Sequence, residues 1–217
     1  LSRRQRQMCI RDSNEDETWV YPISAAGMEY RSMKDLIREA GPSEMEMLDY
    51  ISKKAPGDVT GAAPVEEIKI VSPIPEPDQD IICLGINYMD HAAESARFQK
   101  EEFARPEKAI YFSKRVNRTN DPDGIIPAHK NLTNQLDYEA ELAVIIKKDA
   151  KDVKPEEVKD YIFGYTIMND VSAREVQTEH KQWYFGKSLD GFTPLGPCIM
   201  TVDSTAVSYT HLTLPTT

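Results

Sequence analysis

The segment "LDYEAELAVII", residues 136–146, combines a regular alternation of side chains with three acidic residues. Its alternation predicts a β-strand, in which successive side chains point to opposite faces of a sheet. Asp137, Glu139 and Glu141 then share one face, and that same face continues with apolar residues. Three carboxylates therefore crowd the end of a strand that otherwise belongs to a hydrophobic core.

Length and charge exclude several classes of protein. The chain has 217 residues and a formal net charge of -10, which fits one domain of ordinary size with a small appendage. Nucleic-acid binding needs clustered Lys and Arg, so no nucleic-acid partner is expected. Neither a long apolar run nor a leader peptide is recognised, so we expect a cytoplasmic protein without a membrane partner. The three cysteines lack CxxC spacing and are expected to be buried, reduced thiols.

The two ends of the chain are related to each other in an unusual way. Residues at positions that sum to 219 can be encoded by reverse-complementary codons, for all twelve pairs between "SRRQRQMCIRDS" and "AVSYTHLTLPTT". This relation is typical of a translated sequencing adapter read from both ends. Residues 1–13 and 206–217 are therefore predicted to be adapter-derived and not native, with a flexible basic tail and a polar tail as the alternative.

Residues 14–77 are predicted to form a small N-terminal α/β unit that ends in a proline-rich connector. "TWVYPI" reads as a strand, and two helices follow it. Ser32 and Ser43 are predicted to be their N-caps, with Gly41 closing the first helix. Ser43 and Glu46 have the spacing of a capping box.

Residues 78–205 are predicted to form the second part of the chain, and strands dominate it. "DIICLG", "KAIYFSK" and "YIFGYTIMND" read as strands, whereas "SAREVQTEHKQW" reads as helical turns. The fold class expected for the whole chain is α+β and rich in strands.

Candidate catalytic residues lie on two separate segments. His91 and Glu94 are three residues apart, which places them on one helical face, where the carboxylate can orient the imidazole as a base. A surface i,i+3 pair is the alternative explanation. Lys187 lies among glycines and could stabilise an oxyanion, although a solvated loop lysine has the same sequence signature.

Candidate metal ligands are found among the acids. Asp170 follows an apolar strand, where it could equally be a turn or helix-cap residue. Together with Glu139 and Glu141 it could supply three oxygen ligands to a hard cation. The lack of Cys and His clusters argues against zinc.

The ordered set "GINYMDHAAE", "LDYEAELAVII", "FGYTIMNDVSAREVQ" and "GKSLDGFTPLGP" closely resembles the fumarylacetoacetate hydrolase (FAH) family. The resemblance implies a β-roll catalytic core, here incomplete at its C-terminal end, so the 217-residue chain itself is expected to be inactive. It implies a divalent metal cofactor, Mg²⁺ in the first place with Mn²⁺ or Ca²⁺ as alternatives, and a homodimer when full length.

The resemblance also implies roles for individual residues. It makes Glu139, Glu141 and Asp170 the metal ligands, and His91 with Glu94 the water-activating pair. Lys187 is expected to have a catalytic role, the stabilisation of an oxyanion, in addition to its implied place in the substrate pocket. Arg174, Gln177 and Lys187 match positions of that pocket, and Arg115 is a further candidate for clamping a substrate carboxylate. Asp137 lies outside the ligand pattern and is expected either to hold a metal ligand in place without binding the metal or to support the start of the strand.

The function expected from this resemblance is metal-dependent hydrolysis of a carbon–carbon bond in a 2,4-dioxo acid such as an acylpyruvate. One alternative keeps the site but changes the reaction to decarboxylation of oxaloacetate, or to hydration or isomerisation of a 2-oxo-enoic acid. A second alternative is a non-catalytic fragment. The sequence does not identify the 2-oxo acid, the metal or the missing C-terminal segment.

Overall fold

A computed structural model of the chain describes residues 11–14, 16–85 and 108–202. The chain divides into two compact units, each made of separate segments. The first unit comprises Leu1–Pro73, Leu142–Thr166 and Pro197–Thr217, and the second comprises Ile74–Glu141 and Ile167–Gly196.

Over the described residues the architecture is α+β, with many short strands and few helices, as predicted. The strands are β1 (Arg11–Ser13), β2 (Trp19–Pro22), β3 (Ala63–Pro64), β4 (Ile81–Gly85), β5 (Ile110–Lys114), β6 (Leu136–Asp137), β7 (Ala140–Ile146), β8 (Ile162–Asn169), β9 (Ser172–Ala173) and β10 (Met200–Thr201). The α-helices are α1 (Met33–Glu39), α2 (Pro42–Ser52), α3 (Arg174–His180) and α4 (Trp183–Lys187). Within the described ranges, none of the helices has the length and apolar character needed to cross a membrane.

The two N-terminal helices differ in how they start. Ser32 caps α1 as predicted, because its hydroxyl accepts a hydrogen bond from the backbone N–H three residues on. The predicted Ser43 cap of α2 is wrong. Pro42 occupies the first helical position, where its missing N–H costs nothing, and Gly41 is the N-cap. Glu44 accepts a hydrogen bond from the Gly41 N–H at 3.2 Å, so Gly41 opens α2 rather than closing α1.

The N-terminal part of the first unit is organised around a small apolar core. β1, β2 and β3 form an antiparallel sheet, with β2 in the centre. Tyr21, Ile51 and Val59 are the buried residues of the core cluster. Burial of each large apolar side chain contributes about 1.5–3 kcal/mol to stability. The Tyr21 hydroxyl donates to the Lys54 carbonyl at 2.9 Å, so the buried ring also has its polar end satisfied.

A second sheet in the first unit has the order β10–β8–β7. Gly164 of β8 lies so close to the Met200 carbonyl that a Cβ atom there would overlap it, so only glycine allows this pairing. Side chains of β7 alternate in exposure. Leu142, Val144 and Ile146 face outward, whereas the face that carries the acids is the half-buried one.

The second unit contains the paired strands β4 and β5 and the short pair β6 and β9, both antiparallel. Its core cluster consists of Val171, Ala173, Val176 and Phe192. α3 follows β9 directly, and α4 packs against α3. A Cβ atom on Gly186 would overlap the Gln177 side chain and the Ala173 carbonyl, so only glycine permits this close approach.

Candidate active site

Two of the predicted metal ligands are joined through their backbones in the second unit. β8 ends at Asn169, and the next residue, Asp170, donates its backbone N–H to the Glu139 carbonyl at 2.8 Å. The Asn169 side chain in turn accepts the Glu139 N–H at 3.2 Å. The acids therefore occupy fixed positions at the ends of neighbouring strands. A turn or helix-cap role was the alternative explanation for Asp170. Its side chain is only 4% exposed and therefore belongs to the buried part of the site.

Lys187 lies between these two carboxylates. Its ammonium group donates to Glu139 Oε2 at 2.7 Å, to Asp170 Oδ2 at 2.6 Å and to Ser172 Oγ at 2.9 Å. The Lys187 side chain is only 4% exposed, and its nitrogen also lies 5.2 Å from the centre of the Phe112 ring. The alternative of a solvated loop lysine is excluded by this burial.

A second lysine, Lys114 at the end of β5, contacts the other oxygen of Asp170. Its ammonium group donates to Asp170 Oδ1 at 2.6 Å and to the Val171 carbonyl at 3.1 Å. The side chain is fully buried. Burial holds the pKa of Lys114 below its ordinary value, and the negative charge of Asp170 opposes that effect.

Arg174, at the start of α3, ties Asp137 to Glu139. Its guanidinium donates two hydrogen bonds to Asp137 Oδ2, at 2.9 and 2.6 Å, and one to Glu139 Oε1 at 2.6 Å. It also donates to the Gln177 side chain at 3.1 Å. Burial disfavours the charge, but the hydrogen bond to Asp137 and the charge of Glu139 outweigh it, so the pKa of Arg174 is raised. This contact agrees with the expectation that Asp137 holds a predicted metal ligand in place, because Asp137 fixes the guanidinium that binds Glu139.

The carboxylates of Glu139 and Asp170 are of the chemical type that binds a divalent cation. Glu139 and Asp170 each point one oxygen at the same ammonium nitrogen, and carboxylate oxygens are the ligands that Mg²⁺, Mn²⁺ and Ca²⁺ prefer. The two carboxylates therefore already bind one positive charge, the ammonium group of Lys187. Glu141 does not join them: in residues 11–14, 16–85 and 108–202, no three His, Cys, Asp or Glu side chains are grouped as metal ligands. The centre with three carboxylates stays a prediction.

The other predicted residues lie apart from this cluster or outside the described chain. His91 and Glu94 fall in residues 86–107, which are not described. Arg115 lines a cavity of about 350 Å³, together with residues of the segments 116–127 and 188–193. Its side chain is 59% exposed, and its Nε atom lies 3.9 Å from Asp80. The described contacts therefore do not bring Arg115 to Glu139 and Asp170.

The sequence analysis missed Lys114 and Ser172, both of which contact the ionised cluster. A signal for Lys114 was available. In the strand "KAIYFSK" it lies on the same face as Phe112, which is the face that turns inward. A lysine that ends an inward strand face needs a buried acidic partner, and Asp170 is that partner.

Cys83 on β4 is buried, as predicted, whereas Cys198 is exposed, contrary to the expectation. Burial is the main cause that raises the pKa of the Cys83 thiol to about 12, and the negative charge of Asp170 adds to it. The thiol is therefore protonated near neutral pH, so Cys83 does not supply a thiolate nucleophile to the site.

Alkylation should distinguish these two cysteines. At pH 8, a thiol with a pKa of about 12 is ionised in about one molecule in ten thousand, and only the thiolate reacts. Cys83 is therefore expected to react with iodoacetamide at least about tenfold more slowly than Cys198 in the folded protein. Peptide mass spectrometry gives both rates, and in urea the two should become equal. Rapid labelling of Cys83 before unfolding would contradict its burial.

The chain is similar to several known proteins. Residues 80–216 match the family described as fumarylacetoacetate (FAA) hydrolase C-terminal. "Oxaloacetate tautomerase YisK" of Bacillus subtilis is 42% identical over 149 residues, which are 68% of this chain and 48% of that protein. The chain thus spans about half the length of this curated relative.

Solved structures show the same likeness. A fumarylacetoacetate hydrolase from the psychrophile Exiguobacterium antarcticum has a TM-score of 0.65 and 31% identity, over 90% of this chain and 66% of that one. A 2-hydroxyhepta-2,4-diene-1,7-dioate isomerase from Mycobacterium marinum has a TM-score of 0.51 and 31% identity, over 66% of this chain and 50% of that one. With a family match over more than half of its residues, the chain belongs to the fumarylacetoacetate hydrolase family.

Proposed function

We propose that the whole protein forms and stabilises the enolate of a small 2-oxo acid. The observation that supports this proposal most strongly is the buried cluster in which Lys187 contacts Glu139 and Asp170 at 2.7 and 2.6 Å. An enolate carries negative charge on oxygen, and preorganised cations in a site of low polarity stabilise such charge far better than water does.

Members of the family generally use a divalent metal, and the donor set described above suits one. Glu139 and Asp170, with Glu141 as the third predicted ligand, would hold it. Bound there, the metal would act as a Lewis acid that polarises the 2-oxo group and orients the substrate.

Lys187 would stabilise the developing oxyanion. All three of its ammonium protons are engaged, by Glu139, Asp170 and Ser172, so contact with a substrate requires one of these hydrogen bonds to be exchanged. Arg174 has a side chain that is 35% exposed, and it is the guanidinium of the cluster that a substrate carboxylate could reach.

The first candidate reaction is keto–enol tautomerisation of an acid of the oxaloacetate type. In that reaction a proton leaves the enol hydroxyl and another is delivered to carbon 3, so no bond between carbon atoms is broken. Only enolate stabilisation and a proton carrier are needed, and His91 oriented by Glu94 is the predicted carrier. The 42% identity to the Bacillus subtilis tautomerase favours this candidate.

The second candidate is the carbon–carbon hydrolysis expected from the sequence. Water activated by His91 would add to the 4-oxo carbon of a 2,4-dioxo acid, and the bond between carbons 3 and 4 would break. The electron pair would remain on carbon 3 as the pyruvate enolate, and a carboxylic acid would be the second product. The likeness to the fumarylacetoacetate hydrolase of Exiguobacterium antarcticum favours this candidate.

One assay separates these reactions. The whole protein is stripped of metal and assayed with and without Mg²⁺ or Mn²⁺. Loss of enol absorbance follows oxaloacetate, and coupled detection of released pyruvate follows acetylpyruvate. Metal-dependent tautomerisation without pyruvate release supports the first candidate, and stoichiometric pyruvate from acetylpyruvate supports the second. No turnover of either compound with either metal would favour the non-catalytic alternative.

A further inference from the structure

Lys114 is a buried charged residue to which the resemblance assigned no role. Its side chain is fully buried, and its ammonium group contacts Asp170 Oδ1 at 2.6 Å and the Val171 carbonyl at 3.1 Å. Transfer of a lysine charge out of water is costly unless the charge is paired. The burial of the Lys114 charge therefore depends on its pairing with Asp170.

The two oxygens of Asp170 have different partners. Lys114 takes Oδ1, whereas Oδ2 faces Lys187 and, through it, Glu139. The backbone of Asp170 is fixed as well, since its N–H donates to the Glu139 carbonyl and its carbonyl accepts the Ser172 hydroxyl at 3.1 Å. The carboxylate consequently cannot rotate to turn both oxygens toward Glu139 without breaking the contact to Lys114.

This arrangement has a consequence for the choice of cation. With Oδ1 engaged by Lys114, Asp170 offers a single oxygen, Oδ2, on the side of Glu139. Mg²⁺ requires six ligands in nearly octahedral geometry, to which a carboxylate that contributes one oxygen is suited. Ca²⁺ accepts six to eight oxygens and readily takes both oxygens of one carboxylate.

We propose that Lys114 is a positioning residue that restricts Asp170 to one metal-facing oxygen and thereby favours Mg²⁺ over Ca²⁺. This inference rests on the proposed function, in which Asp170 is a metal ligand. Lys114 touches neither the metal nor the substrate in this account, and it acts only through the orientation of Asp170.

The test is the ratio of Mg²⁺ to Ca²⁺ affinity, measured by titration calorimetry on the metal-stripped whole protein without substrate. Removal of a residue that orients a metal ligand lowers affinity by about 10–100-fold. Lys114→Met is expected to weaken Mg²⁺ binding by that amount and Ca²⁺ binding less, so that the ratio falls by about tenfold. Lys53→Met removes an exposed lysine paired with Asp49 and should leave the ratio unchanged.

Each outcome bears on a different claim. If both ions weaken equally in Lys114→Met, its role is structural and the inference is overturned. If the wild-type protein binds neither ion, the metal part of the proposed function fails and the inference fails with it. Should Lys114→Met not fold, a crystal structure of the wild-type protein with Mn²⁺ decides. Contact through Oδ2 alone, with Lys114 on Oδ1, supports the inference, and contact through both oxygens overturns it.

Discussion

Replacement of Asp170 by Asn is expected to lower the free energy of unfolding by about 3–5 kcal/mol, because it leaves buried charges without their partner. Asn keeps the shape of the side chain but removes its charge. Lys187 retains Glu139, whereas within the described residues Asp170 is the carboxylate that pairs with Lys114. The fully buried Lys114 ammonium would then have only the neutral amide and the Val171 carbonyl as partners.

Urea denaturation in the presence of a chelator measures this loss without a contribution from bound metal. A matched control is Asp49→Asn, which removes the partner of Lys53 in a pair of similar length, 2.7 Å, at the surface. Exposed pairs contribute about 0–1 kcal/mol, so the control should be nearly neutral. Equal effects of the two substitutions would show that the buried contacts of Asp170 do not stabilise the fold.

Replacement of His91 by Ala is expected to slow the chemical step by about 10²–10⁴-fold, the usual contribution of a general base. His91 is predicted to move the proton and not to bind metal, so kcat should fall while metal affinity stays unchanged. Single-turnover kinetics of the whole protein, combined with titration calorimetry, separates these two quantities.

His180→Ala provides the control for this variant. The His180 ring contacts the Val176 carbonyl at 3.0 Å within α3, and no catalytic role is predicted for it. Its replacement should change kcat little. Loss of metal in the His91 variant would mean that His91 is a ligand, and an unchanged kcat would remove it from the mechanism.

Local sequence signals located the strands and most of the candidate cluster. Apolar runs placed β4, β5 and β8. The alternation in "LDYEAELAVII" put Glu139 and Glu141 on the inner, half-buried face, although the single strand predicted there is divided into β6 and β7. These signals succeed because the two-residue repeat of a strand is dictated by the backbone alone. The helical prediction for "SAREVQTEHKQW" was confirmed over Arg174–His180, which form α3, whereas Ser172 and Ala173 form β9.

Contacts between distant segments were harder to predict. Lys114 and Asp170 are 56 residues apart, and nothing local to either one indicates the other. The same is true of Arg174, which was expected to line the substrate pocket but whose guanidinium also binds Asp137 and Glu139. At α2, the preference of serine for the N-cap position predicted Ser43. The preference of proline for the first helical position prevailed, because Pro42 fixes the first turn.

Titration of Mn²⁺ into the metal-stripped whole protein and its Glu141→Ala variant tests whether Glu139, Glu141 and Asp170 together hold a divalent cation. In the proposed function, the 2-oxo acid chemistry depends on that cation. Calorimetry is expected to show one ion per wild-type chain and no measurable binding to the variant, because a three-carboxylate centre loses one ligand. Wild-type protein that binds no Mn²⁺, or a variant that binds it as tightly as the wild type, would contradict the account.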